Sequence, residues 1–170
     1  MNILLNLQRS LVTVASVLVA NSFNLANAAT STGNLNVSAV VADYCELGTT
    51  SVSLNLGSYV PTTQSSMSAA IQVRCTVGTA ANIGLGYGLN ASGTTRRLKH
   101  ATDPTVFLTY ELYKPDGTTV WQAPGEVGVV GLTGDGLSQG FNITGKIPSD
   151  QWSIKTGDYS DTVVITVTFP

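Results

Sequence analysis

Residues 33–41 read Gly-Asn-Leu-Asn-Val-Ser-Ala-Val-Val, and apolar and polar side chains alternate along most of this segment. A period of two residues is typical of a β-strand with one apolar face. A second alternating stretch, residues 162–169 (TVVITVTF), ends one residue before the last residue of the sequence. The two stretches predict an all-β domain that has a spare strand at one end and a core strand at the other. The apolar positions of the first stretch are Leu35, Val37, Ala39 and Val41.

The second stretch also has one apolar face, formed by Val163, Ile165, Val167 and Phe169. An immunoglobulin-like sandwich is expected to place one more strand beside this one. Pro170, which follows, has no backbone N–H and cannot extend a hydrogen-bonded ladder. We therefore expect the last strand to lack a neighbour unless another segment supplies one.

Residues 1–28 have the pattern of a secretory signal. Arg9 supplies the positive charge, residues 11–20 form a short apolar run, and Ala-Asn-Ala at residues 26–28 fits a cleavage site. The apolar run is shorter than the roughly 20 residues that a membrane-spanning helix needs. Cleavage after Ala28 would leave 142 residues. We divide them into an N-terminal extension (29–42) and one β-sandwich domain (43–170).

The composition argues against nucleic acid and anionic membranes as partners. Without Arg9 the chain has seven Lys and Arg against ten Asp and Glu, a formal charge of −3. Charged residues make up 11% of the sequence, well below the roughly 25% that is typical of soluble domains. The surface must be built largely from Thr, Ser, Asn and Gly. Weak repulsion between such surfaces suits subunits that pack against copies of themselves.

The two cysteines, Cys45 and Cys75, both follow the signal. In an oxidising compartment such a pair is most simply a disulfide, and two free thiols are the alternative. We predict no metal site, because His100 is the one histidine of the chain and has no cysteine near it in sequence.

Short alternating runs recur along the chain and are separated by Gly, Pro, Asp and Asn. Lys-Pro-Asp-Gly at residues 114–117 predicts a hairpin turn between two of them. Eight or nine short strands in this length favour a β-sandwich of immunoglobulin type. The predicted strands are 35–46, 52–56, 69–76, 82–88, 105–113, 118–121, 127–132, 140–147 and 159–169.

One basic cluster stands out and consists of Arg96, Arg97, Lys99 and His100. We interpret it as a solvated loop; the alternative is a docking patch for an acidic surface or a glycan. The aromatic residues, among them Trp121, are interpreted as core or interface residues rather than as a sugar-binding platform. Within that set Tyr159 is expected to be a structural corner residue.

Enzyme chemistry has little support in this sequence, and we predict neither catalytic residues nor a cofactor. The Gly-x-Ser-x-Gly motif is absent, and His100 has no evident orienting partner. Asp158 and Asp161 lie three residues apart at the start of a strand, where their side chains point to opposite faces. Such a pair suits turn capping better than acid–base catalysis.

Two motifs of the chain resemble those of spore-coat-protein-U-type domains, a family that includes the archaic (Csu-type) chaperone–usher pilins. The first is Thr-Gly-x-Leu-x-Val-x-Ala-x-Val at residues 32–41, which leads into Cys45. The second is Gly-x-Tyr-x-Asp-Thr at residues 157–162 with the alternating strand after it. The resemblance covers nearly the whole exported chain and includes Ile-Pro at residues 147–148 and both cysteines.

The resemblance implies an incomplete immunoglobulin-like sandwich that lacks its last strand. A periplasmic chaperone would lend a strand first, and the N-terminal extension of the next subunit would later replace it at an outer-membrane usher. The product would be a head-to-tail fibre on the surface of a Gram-negative bacterium, used for adhesion and biofilm formation. By the same resemblance, the donor side chains are Leu35, Val37, Ala39 and Val41, and the acceptor groove includes Val163, Ile165, Val167 and Phe169.

Other interpretations of the same residues remain open at this point. The N-terminal stretch could be an ordinary first strand of its own domain, or it could fold back into its own groove in an isolated monomer. The runner-up function is a monomeric secreted immunoglobulin-like binding module, or a coat or envelope module, that uses loops such as 90–100 and 124–136.

Overall fold

Ten β-strands and no helix form the regular structure of residues 28–170, the part of the chain that the computed structural model describes. The all-β prediction is thereby confirmed. Residues 1–27 of the predicted secretory signal lie outside the described part. Within residues 28–170 there is no helix of the length and apolarity needed to cross a membrane. The strands are β1 (Cys45–Leu47), β2 (Ser65–Cys75), β3 (Ala80–Leu85), β4 (Arg97–His100), β5 (Phe107–Thr109), β6 (Glu111–Tyr113), β7 (Val130–Thr133), β8 (Ser138–Ile147), β9 (Tyr159–Ser160) and β10 (Ile165–Thr168).

The strands pair antiparallel in three sheets, whose orders are β1-β2-β8-β6, β10-β3-β7 and β5-β4-β9. The longest ladder joins β2 to β8 over ten residue pairs, from Ser65 opposite Ile147 to Arg74 opposite Ser138. In the second sheet β10 lies at one edge and is bonded only to β3 among the described strands. This edge position decides the site described below.

Alternate residues of the long strands point into one shared apolar core. Ile71 and Val73 of β2 and Ile83 and Leu85 of β3 are almost completely buried, as the period of two requires. Trp121 is fully buried, and its indole Nε1 donates a hydrogen bond to the carbonyl of Ile83 (2.8 Å). This satisfies the polar end of a large apolar side chain. The core also contains Cys45, Leu56, Cys75, Ala81, Leu108, Tyr110, Leu112, Ile143 and Ile147.

Two local predictions about covalent and turn structure are confirmed. Cys45 and Cys75 form a disulfide that ties β1 to the end of β2. At the predicted hairpin, the amide of Gly117 donates to the carbonyl of Lys114 (2.8 Å), and Gly117 has a positive φ of 69°. Glycine tolerates this backbone conformation at no steric cost.

Tyr159 is a corner residue, as predicted. Its hydroxyl donates to the carbonyl of Lys155 (2.6 Å) and accepts a hydrogen bond from the amide of the same residue (3.1 Å). The ring of Tyr159 also meets that of His100 edge to face, with centroids 4.9 Å apart. These contacts fix the turn that precedes β9.

Several predicted strands differ from the observed ones. Residues 35–44 belong to no strand, although 35–46 was predicted as one, and only Cys45–Leu47 pair with β2. Residues 52–56 also belong to no strand. The predicted strand 105–113 is divided into β5, which pairs with β4, and β6, which pairs with β8 in another sheet, so the chain passes between the two sheets at Tyr110.

The prediction of a solvated basic loop is wrong. Arg97–His100 form strand β4, and both Arg96 and His100 are buried. The ring Nδ1 of His100 accepts hydrogen bonds from the amides of Thr102 (3.2 Å) and Asp103 (3.0 Å). Its Nε2 donates to the carbonyl of Thr156 (3.1 Å), a partner 56 residues away. Burial of these polar side chains is tolerated because hydrogen bonds satisfy them.

Candidate strand-acceptor groove

Strand β10 has one bonded edge and one vacant edge. Its register with β3 places Ile165 opposite Leu85, and the carbonyl of Val164 accepts a hydrogen bond from the amide of Gly86 (2.9 Å). In an antiparallel ladder, the backbone groups of alternate residues point to opposite edges of a strand. The N–H and C=O groups of Val164 and Thr166 therefore point toward β3, while those of Ile165 and Val167 point away from it. No described strand pairs with that second edge.

An extended segment, residues 52–56, forms the opposite wall of the space beside β10. Val52 and Leu54 are half-buried and Leu56 is buried, whereas Ser53 and Asn55 are exposed. This is the alternation of a strand, although the segment has no strand partner among the described residues. The segment was predicted as a strand but not as a groove wall, and its period-two pattern was the signal available.

Between these two walls lies an apolar cavity of about 140 Å³. Val52, Leu54 and Leu56 line one side, and Val163 and Ile165 line the other. The floor is formed by core side chains that strand β10 and its neighbours leave uncovered. The floor residues are Leu85, Leu98, Tyr110, Leu112 and Ile143.

The space continues past Leu54, Leu56 and Leu98 into a wider groove of about 750 Å³. The wider part is lined by apolar side chains that include Leu108 and Ile147 and by the segment that leads to β9. Trp152 lies at its rim and is 65% exposed. The inner cavity lies beside Ile165 at the start of β10, and the wider part lies beside the segment 154–161 that precedes this strand. We call the two parts together the acceptor groove.

The four residues assigned by the resemblance to the acceptor groove lie in or next to β10. Val163 and Ile165 line the inner cavity. Val167 and Phe169 are half-buried and pack against the core on the same face of the chain. The ring of Phe169 meets that of Tyr44 edge to face, with centroids 6.4 Å apart. The structure thus brings all four residues to one face of the chain.

Asp161 is the one acidic group at the inner cavity within the described part of the chain, and its carboxylate is already hydrogen bonded. It accepts hydrogen bonds from the Tyr110 hydroxyl (2.8 Å) and from the amide and side chain of Asn90 (3.1 and 3.0 Å). Burial, together with this hydrogen bond to Asp161, raises the pKa of Tyr110 well above its ordinary value. The hydroxyl therefore stays protonated as a donor, and the groove remains suited to an apolar strand.

A buried arginine supports the floor of the groove from behind. Arg96 is fully buried, and its guanidinium donates to the carbonyls of Leu85 (2.6 Å), Gly86 (3.0 Å) and Trp121 (2.8 Å). It also forms an ion pair with Glu111. These contacts lock the end of β3, which pairs with β10. This role could not be predicted from the sequence, because Arg97 follows directly and the partners of Arg96 are 10–25 residues away.

The four predicted donor side chains lie N-terminal to β1, in a segment without strand structure. Leu35, Val37 and Val41 are 87%, 84% and 84% exposed, and Ala39 is also exposed. Almost all of their apolar surface is therefore available for burial against a partner.

Within residues 28–170 no group of three or more His, Cys, Asp or Glu side chains is arranged to hold a metal ion. Every buried side-chain nitrogen or oxygen in this part of the chain has a hydrogen-bond partner.

Comparison with known proteins identifies relatives of this chain. The family model described as the Spore Coat Protein U domain matches residues 31–166. Protein U of Myxococcus xanthus is 38% identical over 93% of this chain and 94% of its own length.

Two solved structures share the fold. A chaperone–tip adhesion subunit pre-assembly complex (CsuC–CsuE) from archaic chaperone–usher Csu pili of Acinetobacter baumannii matches with a TM-score of 0.56 and 22% identity, over 76% of this chain and 40% of that chain. A chaperone–tip adhesin complex of CFA/I fimbriae matches with a TM-score of 0.50 and 15% identity, over 74% of this chain and 41% of that chain. The chain thus spans about two fifths of the solved chains that it matches.

Proposed function

The chain belongs to the Spore Coat Protein U domain family, and we propose that it is a structural subunit of a surface pilus assembled by donor-strand exchange. In this proposal residues 29–42 of one copy enter the acceptor groove of the next copy. The role of the chain is assembly, with no catalytic step and no cofactor. The fold shared with two chaperone-bound pilus subunits is consistent with this role.

The observation that supports the proposal most directly is the vacant edge of β10. Its backbone N–H and C=O groups at Ile165 and Val167 have no strand partner among the described residues, and Ile165 borders a largely apolar cavity, which is an arrangement that can accept an added strand. An added strand would receive main-chain hydrogen bonds from β10 and insert alternate side chains into the groove. The N-terminal segment has that alternation in the exposed side chains of Leu35, Val37 and Val41.

The free energy available from such a contact is large. A fully buried Leu or Val side chain contributes about 1.5–3 kcal/mol, so Leu35, Val37 and Val41 together supply on the order of 5–8 kcal/mol. Ladder hydrogen bonds add about 0.5–1.5 kcal/mol each. Because the strand also completes a core, part of the folding free energy appears as association free energy. The resulting contact is expected to dissociate slowly.

The contact joins different surfaces of two identical chains, since the donor segment and the groove lie at separate places in the sequence. A heterologous contact of this kind generates an open filament unless its rotation closes a ring. Every added copy presents a fresh groove and carries its own donor segment. The proposal therefore predicts a fibre rather than a dimer.

The same proposal assigns partners and location. A periplasmic chaperone would cover the groove before assembly, and an outer-membrane usher would exchange the chaperone for the next subunit. The chain would be exported through the periplasm of a Gram-negative cell to a surface fibre that supports adhesion and biofilm formation. The structural relatives are chaperone–subunit complexes, which supports the assignment of a chaperone partner.

A second candidate function is a coat or envelope module that acts as a monomer. The name of the family and the near full-length match to Protein U favour it. In that case the N-terminal segment would not bind another copy. The two functions therefore differ in whether residues 29–42 determine assembly.

Val37→Asp tests the proposal, with Val40→Asp as the matched control. Both side chains are exposed, so neither change disturbs the folded body. Val37 belongs to the alternating donor face, and Val40 points to the other face of an extended strand. We expect Val37→Asp to block polymer formation, because it places a charge in an apolar groove, and Val40→Asp to polymerise normally.

Polymers are measured by light scattering after gel filtration and by electron microscopy. Co-purification with a periplasmic chaperone is expected for all three chains, since the groove is intact in each. Normal polymers from Val37→Asp would refute the donor assignment. A wild-type chain that stays monomeric and binds no chaperone would favour the coat or envelope module.

A further inference from the structure

The long β2–β8 ladder gives the body two distinct ends. At one end β2 finishes at Cys75 and β8 begins at Ser138; we call it the donor end, because the chain enters the body there at Cys45. At the other end β8 finishes at Ile147 and is followed by Trp152; we call it the tryptophan end. Ten residue pairs separate the two, or about 30 Å at roughly 3.4 Å per residue.

The chain is fixed to the body almost immediately after the proposed donor segment. The Asp43 carboxylate accepts a hydrogen bond from the Thr79 hydroxyl (2.7 Å), and the Tyr44 amide donates to the Thr76 hydroxyl (3.1 Å). One residue, Ala42, separates Asp43 from Val41, the last proposed donor side chain. A residue spans at most about 3.6 Å. A seated donor strand therefore draws the two bodies into contact.

The direction of the groove decides which ends meet. Phe169, after β10, contacts Tyr44 at the donor end, whereas the wide part of the groove opens beside Trp152. If the donor segment entered at the donor end of its acceptor, two donor ends would face each other, and such an isologous contact closes a dimer. A growing fibre requires entry at the tryptophan end. The donor strand then runs antiparallel to β10, which is the more stable pairing.

Trp152 is presented on a rigid platform at that entrance. Its indole Nε1 donates to the Asp150 carboxylate (3.2 Å). The neighbouring Gln151 side chain donates to the carbonyls of Thr109 (3.0 Å) and Pro148 (3.2 Å). A large, exposed aromatic side chain whose surroundings are already ordered loses little entropy when a partner covers it. Tryptophan is also enriched among the residues that dominate protein interfaces.

The donor end carries exposed aliphatic side chains that could cover this indole. Val77 is 78% exposed and Leu137 is 68% exposed, and their loops meet because Gly136 lies against Val77. We infer that, in the fibre, Trp152 of one copy packs against Val77 and Leu137 at the donor end of the next copy. This second interface between bodies is continuous with the donor-strand contact, and it rests on the proposed function. Its partner is a further copy of this chain.

Tryptophan fluorescence tests the inference, because the chain has two tryptophans and Trp121 is fully buried. Quenching by acrylamide therefore reports mainly on Trp152, and a Trp152→Phe chain supplies the Trp121 background. The fluorescence is compared in wild-type fibres, in the non-assembling Val37→Asp chain, and in that chain after addition of a synthetic peptide of residues 29–42. The peptide fills the groove without bringing a second body.

We expect the quenching constant of Trp152 to be high in Val37→Asp, to fall only in part when the peptide occupies the groove beside Trp152, and to be several-fold lower in wild-type fibres. Fibres of the Leu137→Asp chain are expected to form, and acrylamide should quench Trp152 in them almost as strongly as in the Val37→Asp chain. Wild-type fibres in which Trp152 is quenched as strongly as in the peptide complex would overturn the body contact and leave the donor-strand proposal intact. The contact between bodies would also be overturned if the peptide alone protected Trp152 as well as wild-type fibres do. A wild-type chain that forms no fibre would remove both proposals together.

Discussion

Replacement of Arg96 by methionine tests how the floor of the acceptor groove is held. Methionine keeps the apolar stem of the side chain and removes the guanidinium. The carbonyls of Leu85, Gly86 and Trp121 lose donors at 2.6, 3.0 and 2.8 Å, and Glu111 loses its ion-pair partner. Because Arg96 is completely buried, the lost bonds belong to a part of the body with little access to water.

The cost follows from these contacts. A buried polar group left without a partner costs about 1–3 kcal/mol, and removal of one partner of a buried ion pair costs about 3–5 kcal/mol. The Glu111 side chain is 29% exposed, so water can solvate its carboxylate and the cost of the broken ion pair is reduced. We expect Arg96→Met to lower the free energy of unfolding by about 4–6 kcal/mol. At about 3 °C per kcal/mol for a domain of this size, the melting temperature falls by roughly 12–18 °C.

Arg97→Met is the matched control. The Arg97 guanidinium donates to the carbonyls of Asn90 (2.9 Å) and Ala91 (3.3 Å) and lies over the Phe107 ring (4.2 Å), but the side chain is only half-buried. Its loss is expected to cost about 1 kcal/mol. Both variants are measured by urea denaturation followed by circular dichroism. Equal losses for the two variants would refute the account of Arg96 as the support of the groove floor.

Three further changes have defined expected results. Reduction of the disulfide, which closes a loop of 30 residues, should lower the free energy of unfolding by about 3.6 kcal/mol; a denaturant midpoint unaffected by reductant would contradict this. Tyr159→Phe removes two hydrogen bonds to Lys155 and should cost about 1–2 kcal/mol, whereas an unchanged midpoint would show that the corner adds no stability. Hydrogen bonds from the Thr119 hydroxyl and amide hold the pKa of the Asp116 carboxyl below its ordinary value, so this group adds stability that is present above about pH 4 and is lost as the pH falls through the lowered folded pKa. Wild type should therefore be more stable than Asp116→Asn at neutral pH, the difference should shrink in acid, and a difference independent of pH would contradict the assignment.

Local patterns in the sequence predicted which side chains of two segments beside the groove share a face. The alternation of residues 162–169 placed Val163, Ile165, Val167 and Phe169 on one face, as the structure shows. Period-two patterns report which face of a strand is buried, and that information is local. The same pattern in residues 52–56 predicted an extended segment, but it could not show that the segment would face β10 rather than pair in a sheet.

The basic residues 96–100 were wrongly predicted as a solvated loop, because their burial depends on contacts with residues far away in the sequence. Strand β4 was missed because three of its four residues are basic. Arg96 and His100 are buried because carbonyls of other segments bond to them, that of Leu85 to Arg96 and that of Thr156 to His100. No spacing rule within the sequence reveals those partners. The register of β10 with β3 likewise decides which backbone N–H and C=O groups of β10, those of Ile165 and Val167, point toward the vacant edge.

Amide hydrogen exchange along β10, resolved by NMR, tests the vacant edge most directly. The experiment uses the Val37→Asp chain, with and without the peptide of residues 29–42. Without peptide, the amide of Thr166 should be protected by β3, whereas the amides of Ile165 and Val167 should exchange freely. The peptide should then protect Ile165 and Val167 as strongly as Thr166. Amides of Ile165 and Val167 that are already protected in the free chain, or that still exchange freely with peptide in excess, would contradict the account.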